Sequence, residues 1–167
     1  EANWKRSKDE IKGIMFLLYS IRKEYEKKEQ GLLKNIKLKI LSTSTDNFTN
    51  KVKNDINIIN KIGNNIKNPS LICNIMLSYS GRKEIINAIN ACKDNEKNKI
   101  TEEIMEKYLL TRDCPPLNIM IRPGGDIRLS DFLLYQCAYT ELFFINKKFP
   151  EITKNDIHIQ YFRRRVD

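Results

Sequence analysis

Hydrophobic positions along the chain recur with two different periods. Ile11, Ile14, Leu18, Ile21 and Tyr25 fall at helical spacing behind Ser7-x-x-Glu10, a capping box, and predict a helix to about residue 28. Ile36, Leu38 and Ile40 alternate with Lys37 and Lys39, the period of a strand ending at Leu41. The polar, Asn-rich stretch 47–66 carries Val52, Ile56, Ile59 and Ile62 at helical spacing, with Gly63-Asn64-Asn65 to fray or end it. Residues 71–79 form a more continuous apolar run, which predicts a strand buried on both faces. Helices are expected over 82–92 and from Thr101 to about residue 111, where Glu102 and Glu103 favour the positive helix end and Cys114-Pro115-Pro116 ends the segment. Then come a strand over 117–122, a helix over 130–139, a short strand over 142–145 and a final helix over 153–164. Neither an internal repeat nor a long linker interrupts this alternation. It predicts one α/β domain over 1–167, with a central, largely parallel sheet flanked by helices. Binding sites in such sheets lie beyond the carboxyl ends of the strands.

With 167 residues, 41% apolar and 31% charged, the chain can build a core and still cover itself with charge, which argues against disorder and against a disulfide-stapled peptide. The longest apolar stretch, 132–145, is broken by Gln136, Thr140 and Glu141, short of the roughly 18 residues a spanning helix needs. The opening Glu1-Ala2-Asn3-Trp4 has no initiator methionine and reads as a processed or truncated start. Cys73, Cys92, Cys114 and Cys137 make no C-x-x-C pair, and His158 is the one histidine, which disfavours zinc and points to free thiols in a reducing compartment.

The net charge of +9 favours an anionic partner. Most of the 21 lysines read as solvated surface, whereas the 9 arginines concentrate where lysine is missing. Between Tyr108 and Asn146 there is no lysine, yet Arg112, Arg122 and Arg128 are present, and Arg163, Arg164 and Arg165 stand together near the end. A guanidinium fork recognises phosphate or carboxylate in a way an ammonium cannot. After the 117–122 strand, Arg122 is followed by Pro123-Gly124-Gly125, Arg128 and Ser130. Two guanidinium groups, a hydroxyl and the amide end of the helix that Ser130 would cap make a candidate diphosphate cradle. A glycine turn with surface arginines is the competing reading. The spacing is neither a Walker loop nor a dinucleotide fingerprint. Basic and aromatic residues are not interleaved on one surface, which argues against nucleic acid.

The segment IRPGGDIRLSDFLLYQ from Ile121, followed by Ala138-Tyr139-Thr140-Glu141-Leu142, resembles the signature of the cis-prenyltransferases, the undecaprenyl and dehydrodolichyl diphosphate synthases. Asn3-Trp4-Lys5-Arg6 with Glu10, and Ser78-Tyr79-Ser80-Gly81-Arg82, resemble two further blocks of that family in the same order and spacing. Asn118 stands where the family has aspartate, Pro123 for threonine, Asp126 for glutamate, and Ser42-Thr43 for a glycine-aspartate pair.

The resemblance implies the cis-prenyltransferase fold and the condensation of isopentenyl diphosphate onto an allylic diphosphate such as farnesyl diphosphate. The product would be a long-chain cis-polyprenyl diphosphate, undecaprenyl- or dehydrodolichyl-type; the charged extension from Glu24 to Glu29 hints at the latter. It implies that Arg122, Gly124, Gly125, Arg128 and Ser130 bind the diphosphate of isopentenyl diphosphate, and that Glu141 helps to hold Mg2+ across a homodimer interface. Asn3 and Arg6 would flank the reacting centre, and Trp4 and Glu10 would shape the segment beside the allylic substrate. Arg163 or Arg165 would complete the partner's site, although Asp167 stands where glycine is expected. Ile14, Leu17, Leu18, Ile21, Ile40 and Ile75 would line a tunnel for the growing chain or serve as ordinary core. The family's first block, with its Mg2+-holding aspartate, would lie before Glu1, so this stretch alone is expected to be inactive. A non-catalytic partner subunit on the same fold is the alternative, although such subunits typically lose the arginine signature kept here. A cytoplasmic location, or the cytosolic face of the endoplasmic reticulum with peripheral membrane association, is the expectation for such a product.

Overall fold

A computed structural model describes residues 7–27, 31, 33–95 and 99–157. The chain falls into two compact units, residues 1–110 and 111–167. The first contains helix α1 (Lys8–Glu26), strand β1 (Ile36–Leu41), helix α2 (Asn50–Asn64), strand β2 (Leu71–Met76), helix α3 (Gly81–Asn95) and the short helix α4 (Glu102–Glu106). The second contains strands β3 (Ile119–Pro123) and β4 (Glu141–Ile145). Pairing is parallel throughout, as expected, and is divided between two sheets, β1-β2 and β3-β4.

In the first unit the capping box forms as read: the Glu10 amide donates to Ser7 Oγ at 3.2 Å, and the Ser7 amide to Glu10 Oε2 at 3.1 Å. Leu18 and Tyr25 of α1, Leu38 and Ile40 of β1, Phe48, and Val52, Ile56 and Ile59 of α2 make the core. Each is a position the helical or alternating period had marked except Phe48, which lies in the β1–α2 loop. Charge is also buried here, as a pair: Arg22 Nε of α1 meets Asp55 Oδ1 of α2 at 2.9 Å. Arg22 reaches Glu26 as well, at 2.7 Å.

Side chains close one edge of β1. The Tyr25 hydroxyl donates to the Ile36 carbonyl at 2.7 Å and accepts from the Leu38 amide at 3.1 Å. Asn60 accepts from the Ile40 amide at 2.7 Å and donates to its carbonyl at 3.1 Å. Backbone groups that would otherwise seek another strand are thus satisfied from α1 and α2. Gly63 lets α2 lie this close, because a Cβ there would collide with the Leu38 carbonyl oxygen. Its role is close approach more than helix termination.

Three expectations are corrected. The 71–79 run gives a strand that is not buried on both faces; Leu71 is 55% and Ile72 52% exposed, since β2 pairs only with β1 among the described residues. The helix after Thr101 is capped by its hydroxyl but ends at Glu106. The chain then tightens into turns, and the Leu110 amide donates to buried Glu84 of α3 at 2.9 Å in place of a helical carbonyl. Residues 130–139 form no α-helix. Ser130, Asp131 and Leu133 take positive φ of 50°, 64° and 45°, which breaks a right-handed ladder, and only a single tight turn, Gln136–Tyr139, follows. Thr153 and Asp156 exchange capping hydrogen bonds at the start of the expected final helix, with a helical turn over 154–157; its remainder lies outside the described residues.

The expected tunnel lining divides. Leu18 and Ile40 are core, Ile21 and Ile75 pack against it, and Ile14 and Leu17 are exposed.

Candidate diphosphate site

β3 and β4 run parallel with Ile119 opposite Glu141, Arg122 opposite Phe144 and Pro123 opposite Ile145. Their carboxyl ends therefore coincide at Pro123 and Ile145, where the chain must turn away sharply. Gly124 and Gly125 make that turn at φ of 103° and 80°, values that side chains resist. A Cβ on Gly125 would also stand 2.8 Å from Asn146 Oδ1. The glycine amides are engaged by backbone carbonyls. Gly124 donates to the carbonyls of Ile145 (3.1 Å) and Lys147 (2.8 Å), and Gly125 to that of Ile145 (3.2 Å). They close the sheet and return the chain over the end of β3.

That return gathers the three residues marked in the sequence. Arg122 Nη1 donates to Ser130 Oγ at 3.0 Å and to the Arg128 carbonyl, and Arg128 Nε donates to the same hydroxyl at 3.2 Å. Asp126, not assigned to the site beforehand, joins them. Its Oδ2 accepts from Arg128 Nη2 at 2.6 Å and from Arg122 Nη2 at 3.3 Å. The available signal was the i, i+4 spacing of Arg122 and Asp126 with Arg128 two residues on. No helix end completes the cradle, because this turn stands in its place, and the groups that remain to meet a ligand are side chains. Two cations and one carboxylate leave the group with net positive charge beside a partly exposed turn, suited to an oxyanion.

Glu141 begins β4 three residues before Phe144, the register partner of Arg122, which separates it from the cradle by about 10 Å of strand. Glu10 lies in the other unit, with its carboxylate in the capping box. Asn3, Trp4, Arg6, Arg163 and Arg165, together with His158, lie outside the described residues. Nor do the described residues gather a magnesium site: no group of three or more His, Cys, Asp or Glu side chains occurs among them. The Asp126 oxygen is shared by two guanidinium groups, and Glu141 contributes one carboxylate. All four cysteines are free thiols, and burial raises the Cys137 thiol above its ordinary range, with a hydrogen bond from Thr140 opposing the shift.

A second polar feature occupies the carboxyl ends of β1 and β2, where Thr43 and the Ser78–Arg82 block, marked separately in the sequence, meet. The Thr43 hydroxyl donates to the Ser78 carbonyl and accepts from the Ser80 amide, tying the two loops around a cavity of about 170 Å³ lined also by Ser44 and Lys83. The strand-end rule alone could have found it.

Comparison with known proteins decides the family. The family model described as "Putative undecaprenyl diphosphate synthase" matches residues 1–166. The chain belongs to this family. It is 35% identical over 172 residues to the farnesyl-diphosphate-specific ditrans,polycis-undecaprenyl-diphosphate synthase of Buchnera aphidicola subsp. Baizongia pistaciae, across 99% of this chain and 64% of that protein. An isoprenyl transferase of Clostridium tetani is 35% identical over 163 residues, with 93% and 62% covered. Among solved structures, a "probable undecaprenyl diphosphate synthase" from Campylobacter jejuni superposes with a TM-score of 0.80 at 31% identity, covering 99% of this chain and 76% of that one. The chain thus spans somewhat under two thirds of the length of these two curated relatives.

Proposed function

We propose that this chain takes part in cis-prenyl transfer, and that the end of β3 binds the diphosphate of isopentenyl diphosphate. One observation carries the assignment. Arg122, Arg128 and Ser130 converge in one hydrogen-bonded group at the carboxyl end of a parallel strand pair. The condensation joins the terminal alkene carbon of isopentenyl diphosphate to the allylic carbon of a farnesyl-type prenyl donor. The donor's diphosphate leaves, and a proton is lost from the new chain. The role assigned to this cradle is to hold the diphosphate that does not leave, so that the alkene is positioned and only the donor ionises. Guanidinium forks suit that task, since they bind phosphate oxygens in pairs and stay charged at any working pH.

Glu141 is the described residue that would help to hold Mg2+, to which it offers one carboxylate. A second copy of the chain is the proposed partner, supported by exposed apolar side chains in the second unit, among them Ile127, Tyr139 and Phe149. Titration calorimetry with isopentenyl diphosphate tests the assignment. Arg122→Ala is expected to weaken binding by roughly 30-fold, the loss of hydrogen bonds from one charged group. Unchanged affinity would remove the diphosphate from this site.

A further inference from the structure

Resting on that diphosphate reading, we propose that Asp126 is a built-in counter-anion that the incoming diphosphate displaces. The carboxylate meets both cations through one oxygen, and it engages the Nη2 group of each. The other donors bond within the group. Arg122 Nη1 is held by Ser130 Oγ and the Arg128 carbonyl, and Arg128 Nε by the same hydroxyl. An oxyanion that takes the Nη2 groups of both cations at once must therefore compete with Asp126 for them.

Exposure divides the cluster into a fixed and an exchangeable half. The Arg122 side chain is 23% exposed, whereas Asp126 is 47% and Arg128 63% exposed. Ion pairs this open to water are weak and break readily. A diphosphate carries more negative charge than a carboxylate and more acceptor oxygens, so the exchange favours the ligand. Until then Asp126 keeps two like charges together and holds the turn after Gly125 over the strand end. The geometry thus assigns Asp126 a positioning role in the free protein and a competing role during binding. Its removal should strengthen binding while weakening the free fold.

Inorganic pyrophosphate is the probe, with the full chain, by calorimetry and thermal melting. Asp126→Asn is expected to bind pyrophosphate on the order of fivefold more tightly than the unmodified chain, the worth of two exposed ion pairs. Its melting temperature is expected to be lower without pyrophosphate and to converge on that of the unmodified chain at saturation. Asp126→Glu, which keeps the charge, should bind like the unmodified chain. If circular dichroism shows that Asp126→Asn does not fold, Asp126→Ser removes the same charge and is measured in its place. Equal or weaker pyrophosphate binding by the neutral variant, with Arg122-dependent binding intact, overturns displacement and leaves Asp126 as an orienting residue only. If pyrophosphate binds the unmodified chain no better than Arg122→Ala, the diphosphate reading fails and this inference falls with it.

Discussion

Residues 33–66 and residues 119–130 treat polarity in opposite ways. Around β1 and α2, polar groups are buried and each is matched to a fixed partner: Arg22 to Asp55, Asn60 to both backbone groups of Ile40, and the Tyr25 hydroxyl to Ile36 and Leu38. At the end of β3 the polar groups stay half exposed and share partners. One hydroxyl and one carboxylate oxygen each serve two guanidinium groups. In the first region low water access makes an unmet partner costly, so every polar group is met by fixed protein partners that lock the helices onto the strand. In the second, water can replace any single bond, so the arrangement can be exchanged for a ligand. Buried pairing builds a frame; shared, exposed pairing builds a site.

The contrast can be tested from its strongest side. Ile59 is fully buried at the centre of the first core. Ile59→Ala is expected to lower unfolding free energy by about 2–5 kcal/mol in urea titrations; a loss below 1 kcal/mol would mean that the frame is not packed as described. Asn60→Ala isolates the polar half of that frame. It leaves the Ile40 amide and carbonyl without their side-chain partner and should cost about 1–3 kcal/mol, with slowed hydrogen exchange lost at Ile40. In the second region Arg122→Lys should change stability little and weaken isopentenyl diphosphate binding roughly tenfold, since an ammonium cannot replace the fork. Equal affinity would show that charge alone suffices there.

The smallest effect lies at Asp156. The Lys147 ammonium, with the amide and hydroxyl of Thr153, holds its carboxyl well below the usual range, down to about 2. With a folded value below the unfolded one, this group's contribution is complete above about pH 4 and is lost as pH falls through about 2. Acid titration of Asp156→Asn should show a shallower fall in stability across that window than the unmodified chain. Superimposable curves would discount the capping contacts.

Much of the frame was legible because its signals are local. The Ser7–Glu10 box, the α2 stripe and the β1 alternation depend on residues three, four or two positions apart, and each forms where the pattern placed it. The 130–139 helix failed despite the apolar run 132–135, because the left-handed residues Ser130, Asp131 and Leu133 prevent a continuous hydrogen-bond ladder. The β2 run failed for another reason: its apolar content shows what could be covered, and coverage depends on neighbours that the pattern does not name. In the site, Arg122, Arg128 and Ser130 were found by residue type and motif, whereas Asp126 was noted only as a family departure.

Residue chemistry by itself determined the main helices and strands, the parallel α/β class, and which side chains could grip an oxyanion. These follow from short-range periodicity and from the unique fork of arginine. Tertiary structure decided which of those groups share acceptors, that the glycine amides close the sheet, and that Glu141 stands three strand residues from the register partner of Arg122. Such outcomes depend on strand register and on the turn conformation after Pro123, which bring together atoms whose separation along the chain carries no distance of its own.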